Sequence, residues 1–491
     1  MNSDRLLKAR AYEEKMEKDI AQHEKPAFHL SARVGWMNDP NGFCYYQGKY
    51  HLFYQYNPYR THWGPMHWAH VMSSDLLHWE TLPAALAPDM PYDKDGGCFS
   101  GNAIELPDGR HLLMYTGVRK EKREDGTADE FQTQCLAIGD GVDYEKVAHN
   151  PVLDEKDLPE GASKHDFRDP KIWRGEDGVY RAAIASRPAD GSGQILLFKS
   201  EDTLSWRYAK VLVSNGSRYG KMWECPDFFV LDGKGILLVS PQDMESSEPE
   251  FHSGNGNIAI IGSYDEATDT FAEEQVQAID HGVDYYAMQT VLAPDGRRIM
   301  AAWMQNWDCQ EHEPGEKWFG QMAFPREISV RDGRLYQLPI REIETLRTKT
   351  VRHEGVKVTA PMTLEGVKGR FADMEIALHA GEYERFTMTL AQDEKYATKL
   401  TFEPGKGLLT LDRTHSGTRR AHVHSRSCRV GRENGELKLR VILDRNSIEV
   451  FAGEGEKAMT MVIYTDPAAD GISFEADGQA LMDVTLHELA H

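Results

Sequence analysis

The stretch DPNGFCYYQGKYHLFYQY, running from Asp39 to Tyr56, decides how this chain is read. It opens on turn-favouring residues, enters a short aromatic strand, turns at Gly48, and returns through a second strand that alternates through Tyr50, Leu52, Tyr54 and Tyr56. Four later stretches share the outline: SGNAIELPDGRHLLMYTG from Ser100, DPKIWRGEDGVYRAAIAS from Asp169, ECPDFFVLDGKGILLVSP from Glu224 and AMQTVLAPDGRRIMAAWM from Ala287. Aligned on their turn glycines (Gly48, Gly109, Gly178, Gly233 and Gly296), the hairpins recur about every sixty residues. A lone hairpin cannot bury its apolar face, so five such units, each with room for further strands, must stack or close. Four-stranded blades closing radially into a five-bladed β-propeller fit this period; a solenoid and two unrelated all-β domains are the competing arrangements.

The same alignment sets Asp39, Ser100, Asp169, Glu224 and Ala287 at one repeat position. Equivalent positions of a propeller converge at one end of its axis, so Asp39, Asp169 and Glu224 are expected to face one another. An Asp before Pro is ordinarily a turn residue, and NDP and RDP taken singly need mean no more. Three acids in one phase are different, because their mutual repulsion has a cost that folding gives no reason to accept. Two carboxyl groups flanking a glycosidic bond can hydrolyse it, one attacking or activating water and the other protonating the leaving oxygen. Asp39 lies among Asn and Gly groups able to hold a carboxylate ionised, and Asp169 follows the fixed cation Arg168. Glu224 sits in MWECPDFF, where Met222, Trp223, Cys225 and two phenylalanines predict a desolvated, protonated general acid. Trp36, Trp63, Phe99, Trp223 and Trp303 offer faces for stacking on sugar rings, while Asn38, Gln55, Ser100 and Arg168 offer partners for hydroxyls.

The bulk composition narrows the partners. Over 491 residues, 56 basic side chains face 78 acidic ones, and the net charge of −22 disfavours nucleic acid and anionic membrane surfaces. The first thirty residues are charged throughout, without the apolar centre of a signal peptide, and no later stretch approaches a membrane span. The six cysteines are scattered without CxxC spacing, so neither a zinc site nor a disulfide framework is expected, and cytoplasmic residence is the simplest account. Histidines crowd the stretch from His51 to His78, most densely in HWGPMHWAH, and are read as packing residues with no metal. Residues 1–27 form an N-terminal helical extension, with the helix over 3–22 expected to be exposed. Residues 28–340 form the propeller and 341–355 a linker helix. Residues 356–491, rich in short strands, form a β-sandwich read as structural or dimerising, with a homodimer as one outcome and sugar binding as the other reading.

Three motifs carry a family resemblance. WMNDPNG (36–42), FRDP (167–170) and WECPD (223–227) resemble the signature motifs of glycoside hydrolase family 32, the invertases, sucrose-6-phosphate hydrolases and fructanases. YQYNP (54–58), CFSGNA (98–103), DYYAMQT (284–290), AAWMQNW (301–307) and DRNSIEVF (444–451) agree with it. The resemblance implies an all-β chain, a five-bladed propeller followed by a C-terminal β-sandwich, and a β-fructofuranosidase that retains configuration without metal or cofactor. It makes Asp39 the nucleophile, Glu224 the acid and base, and Asp169 a binder of fructosyl hydroxyls. Asn38, Gln55, Trp63, Phe99, Ser100, Arg168 and Trp303 then line the fructose pocket. The small-sugar substrate is sucrose, sucrose 6-phosphate or a short fructo-oligosaccharide. An inverting five-bladed enzyme of the arabinanase and xylosidase type and a non-catalytic sugar-binding propeller are the alternatives.

Overall fold

The computed structural model describes residues 3–310, 315–417 and 422–491. Five antiparallel four-stranded meanders follow one another along the chain. Their first strands are Gly35–Tyr46, Gly97–Glu105, Ala162–Arg174, Trp223–Leu231 and Tyr286–Leu292, and each leads directly into the second strand of its own sheet. These five strands pack side by side around a common axis, the fifth against the first, so the sheets are blades of a closed five-bladed propeller. Closure is reinforced by a short strand of the fifth blade's excursion, Trp318–Phe319, which pairs parallel with Gly35 and Trp36 of the first blade. Apolar layers fill the spaces between neighbouring blades; Phe53, Trp68, Tyr115 and Tyr144 occupy the first of them.

The five aligned glycines all sit at the first hairpin turn of a blade with φ between +77° and +87°, a region that side chains with a Cβ adopt only with strain. Every first hairpin also carries a β-bulge, at Met37/Pro40, Phe99/Gly101, Arg168/Lys171, Glu224/Asp227 and Tyr286/Gln289. A bulge breaks the alternation of faces and re-aims the side chains beside it, here at one end of the channel. The glycine alignment is off by one position at Glu224. Its hairpin has a two-residue turn where the third and fifth blades have five-residue turns, so Cys225, with φ +50°, occupies the bulge position held by Asp169 (φ +61°) and Ala287 (φ +57°). Glu224 therefore corresponds to Arg168 and Tyr286, each immediately before its bulge.

The N-terminal helix, Asp4–Glu17, is capped by Ser3 and is not a free appendage. It lies along the outermost strand of the first blade, Trp79–Leu86, where Glu13 accepts the Ala84 N–H (3.0 Å) and Arg10 donates to the Ala84 carbonyl (2.9 Å). The helix thus covers an edge that would otherwise offer unpaired backbone to another chain. After the fifth blade the chain makes a short 3-10 turn, Arg341–Leu346, and passes straight into the strand Arg347–Val358, where a helix had been expected through residue 355. The remaining strands form a β-sandwich whose two sheets share the long strand Gly471–Leu489. Its first half pairs with Glu382–Gln392, and its second half lies between Ala372–Leu378 and Arg347–Val358.

The propeller and sandwich meet through buried charge. Asp444, first residue of DRNSIEVF, accepts N–H groups from Ala27, Phe28 and His29 and lies 2.7 Å from His29 Nδ1. Glu449 holds His29 Nε2 (2.9 Å) and Arg326 (2.6 Å), and Arg326 also reaches Asp280 (2.9 Å). Burial opposes charge on His29, but its bonds to Asp444 and Glu449 outweigh that and raise its pKa to about 9. This motif of the sandwich is accordingly a docking element.

Candidate active site

The bulges of the first, second, third and fourth blades bring Asp39, Ser100, Asp169 and Glu224 to one end of the channel. Asp39 is buried, and both its oxygens are held by donors. Asn38 Nδ2 reaches Oδ1 (2.9 Å), while Ser100 Oγ (2.7 Å) and the Cys225 thiol (3.3 Å) reach Oδ2. Asn38 is itself fixed by Trp36, whose Nε1 donates to its Oδ1 (2.7 Å). Asp169 accepts the Cys225 backbone N–H (2.9 Å) and faces the same thiol at 3.7 Å, so one residue spans the two aspartates. Burial raises the Cys225 thiol pKa, and the surrounding carboxylates push it further, which keeps it a neutral donor.

Glu224 is clamped from two sides. Arg168 places Nε and a terminal nitrogen 3.2 and 3.1 Å from Oε1, and the Tyr286 hydroxyl lies 2.7 Å from Oε2. The expected apolar setting for Glu224 is not what forms. Met222 and Trp223 turn into the packing between the third and fourth blades, Trp223 with its indole N–H bonded to the Tyr219 carbonyl, so neither reaches the site. Trp223 faces away because neighbours along a strand alternate in direction, and Met222 precedes the strand. Arg168 is in turn held by Asp166 (2.8 Å), which also pairs with Arg187 (2.6 Å). Burial acts against the charge on Arg168, but Glu224, Asp169 and Asp166 together secure it. Asp169 is raised well above the ordinary carboxylate range by burial, with Glu224 and Asp39 adding to the effect and Arg168 opposing it. The three carboxyls thus share a site in which ionising all of them at once is unfavourable.

The remaining sequence candidates divide into two sets. Ser100 and Asn38 touch the carboxylates directly. Phe99 and the exposed Trp63 meet edge to face (5.6 Å) at the rim, presenting aromatic surface to anything entering. Gln55 is buried and bonded to the Cys98 carbonyl (2.9 Å), bracing the strand that carries Phe99 and Ser100. Trp303 is fully buried in an aromatic cluster with Trp36 (5.8 Å) and Trp307 (5.0 Å) behind the site. Sequence reasoning missed Tyr286 and Asp166, although DYYAMQT marked the segment of the first and the second stands two residues before Arg168. The second acid of WECPD, Asp227, is structural: it accepts Lys171 Nζ (2.9 Å) and the Thr290 N–H (2.7 Å), tying three blades together below the carboxylates. The dense histidines also pack; His51 Nδ1 lies 2.9 Å from His70 Nε2, and His70 stacks on Phe53 (4.0 Å).

Carboxyl groups with distinct partners, converging at the mouth of a five-bladed propeller beside exposed aromatic rings, define a glycoside hydrolase. Residues 29–339 match the Glycosyl hydrolases family 32 N-terminal domain and residues 342–489 the family 32 C-terminal domain, so the chain belongs to that family. It is 34% identical to a sucrose-6-phosphate hydrolase of Zymomonas mobilis, over 97% of this chain and 94% of the relative. It is 36% identical to a raffinose invertase of Escherichia coli, over 93% of each chain. A solved β-fructofuranosidase of Bombyx mori superposes with a TM-score of 0.85 at 32% identity, covering 100% of this chain and 99% of that one.

Proposed function

We propose that the protein is a retaining β-fructofuranosidase that removes a terminal fructosyl unit through a covalent intermediate. The observation that carries this reading is the unequal treatment of the carboxyls. Asp39 is surrounded by donors (Asn38, Ser100 and Cys225) that stabilise a carboxylate, as a nucleophile requires. Glu224 is oriented by Arg168 and Tyr286 and serves as acid for the departing oxygen, then as base for the incoming water. Asp169, strained at positive φ and fixed through Thr116 and Cys225, binds fructosyl hydroxyls as positive charge develops on the ring. The hydrolysis asks for no metal or organic cofactor. Relatives named for sucrose 6-phosphate and raffinose, and the Bombyx mori enzyme solved as a variant in complex with sucrose, support a small β-fructoside as substrate. Six buried cysteines outside any disulfide support residence in a reducing compartment such as the cytoplasm.

Two measurements test the reading. NMR of the first product from sucrose should show β-fructofuranose, and an α-anomer would overturn retention. Asp39→Asn should lose turnover by several orders of magnitude with the fold intact. Comparing kcat/KM for sucrose, sucrose 6-phosphate, 1-kestose and inulin then ranks the substrates.

A further inference from the structure

We infer that the Tyr286 hydroxyl is a two-position hydrogen-bond switch that follows the proton of Glu224, donating to Glu224 Oε2 when the acid is ionised and to the Ser240 carbonyl when it is protonated. The inference rests on the β-fructofuranosidase reading above. Tyr286 is wholly buried, and its single hydroxyl proton has two acceptors in reach, Glu224 Oε2 at 2.7 Å and the Ser240 carbonyl oxygen at 3.2 Å. A phenol has one proton to give, so only one of these bonds is made at a time. Which one is made is decided by the other groups around Glu224.

Arg168 donates two N–H groups to Oε1, and a cation so placed disfavours protonation of that oxygen. The acidic proton of Glu224 therefore resides on Oε2, the oxygen that faces Tyr286. While it is there, Oε2 does not need the phenol as donor, and the phenol turns its proton to Ser240. In the first step Oε2 gives its proton to the leaving oxygen as the glycosidic bond breaks and Asp39 bonds to the anomeric carbon. The Tyr286 O–H then swings onto the new carboxylate. In the second step water attacks the fructosyl carbon, the bond to Asp39 breaks and releases its carboxylate, the water's proton passes to Oε2, and the phenol returns to the carbonyl. Protons and bonds balance over the cycle, and Tyr286 itself never ionises.

The backbone favours a fixed pivot for this motion. Tyr286 immediately precedes the fifth-blade bulge, and the Ala287 N–H is pinned to Ser240 Oγ (2.9 Å), so the ring and both acceptors belong to one braced corner. The charged or titratable groups facing Glu224 from the neighbouring strands are Arg168 and Asp169 of the third blade, Cys225 of its own strand, Asp39 of the first blade and Tyr286 of the fifth. Among them Tyr286 is the neutral group that donates to Glu224 itself, and its donor direction can reverse without a change of charge. It is a positioning residue, distinct from the acid it serves.

The test compares wild type, Tyr286→Phe, and a protein with 3-fluorotyrosine incorporated at position 286, using sucrose and an aryl β-fructoside with a good leaving group. Losing the donor leaves ionised Glu224 less stabilised, so Tyr286→Phe should move the alkaline limb of the kcat/KM profile up by about one pH unit. It should lower kcat/KM about tenfold for sucrose and far less for the aryl substrate, whose departure needs little protonation. The fluorinated ring keeps its volume but donates more strongly, and should move the same limb downward. A purely structural role would lower both substrates equally and leave the limb in place, and that result overturns the inference. The fluorotyrosine protein decides the matter if Tyr286→Phe does not fold, an unmoved limb there being equally contrary. A wild type that releases fructose from neither substrate overturns the β-fructofuranosidase reading itself, and the switch with it.

Discussion

The buried histidine His67 gives a pH-dependence whose sign and size follow from its surroundings. It opens the third strand of the first blade, is 4% exposed, and donates Nδ1–H to the Pro65 carbonyl at 3.2 Å. Burial holds its pKa down to about 4; Lys146 and Arg5 act in the same direction, and the Pro65 bond and Asp89 oppose them. In the unfolded chain an ordinary histidine titrates near 6.5. As pH falls from 6.5 towards 4, the unfolded state therefore binds a proton that the folded state refuses, and stability drops across that window. From pH 7 to pH 5 the loss attributable to this one ring is about 2 kcal/mol, and at pH 5.5 unfolding takes up about 0.9 proton on its account. His67→Asn keeps an N–H for Pro65 and cannot charge. Urea unfolding followed by tryptophan fluorescence at both pH values should show wild type losing about 2 kcal/mol more than the variant, with matching proton uptake in a pH-stat. Equal losses in the two proteins would refute the argument.

Other consequences are more local. His29, raised by Asp444 and Glu449, contributes stability that is full below pH 6.5 and is lost as pH rises through about 9, so thermal stability should fall between pH 7 and 10 and fall less in His29→Gln. Arg326→Met leaves Asp280 buried without its cation and Glu449 with His29 alone, and should cost about 3–5 kcal/mol by chemical denaturation, while the folded fraction keeps its KM. Ser100→Ala removes a hydroxyl donor that orients Asp39 and should lower kcat about tenfold with the fold intact, as measured by steady-state kinetics and circular dichroism. Asp166→Asn frees one anchor of Arg168 and should reduce kcat about tenfold with little change in melting temperature, as measured by steady-state kinetics and calorimetry.

The repeat was legible because each blade needs the same glycine at the same turn, and a positive φ leaves a mark that survives in one sequence. The interval between that glycine and the axis was not legible, since a two-residue turn and a five-residue turn look alike around an aligned glycine. That is why Glu224 was placed in phase with Asp169, whereas Cys225 holds the equivalent bulge and Glu224 stands beside Arg168. The surroundings of Glu224 are not legible along the chain for a related reason: its chain neighbours Met222 and Trp223 belong to the packing between blades, and its partners come from the third and fifth blades.

Asp39, Asp169 and Glu224 were thus singled out by residue type, spacing and motif alone, together with an all-β propeller and a following sandwich, because hydrophobic alternation and turn chemistry are local properties written along the chain. The tertiary structure decided everything that depends on meeting across blades. It assigned Cys225 to both aspartates, Arg168 and Tyr286 to the two oxygens of Glu224, Asp227 to bracing, and DRNSIEVF to docking the sandwich. Those contacts join residues a whole blade or more apart along the chain, and the packing of blade on blade and of sandwich on propeller determines which of them touch.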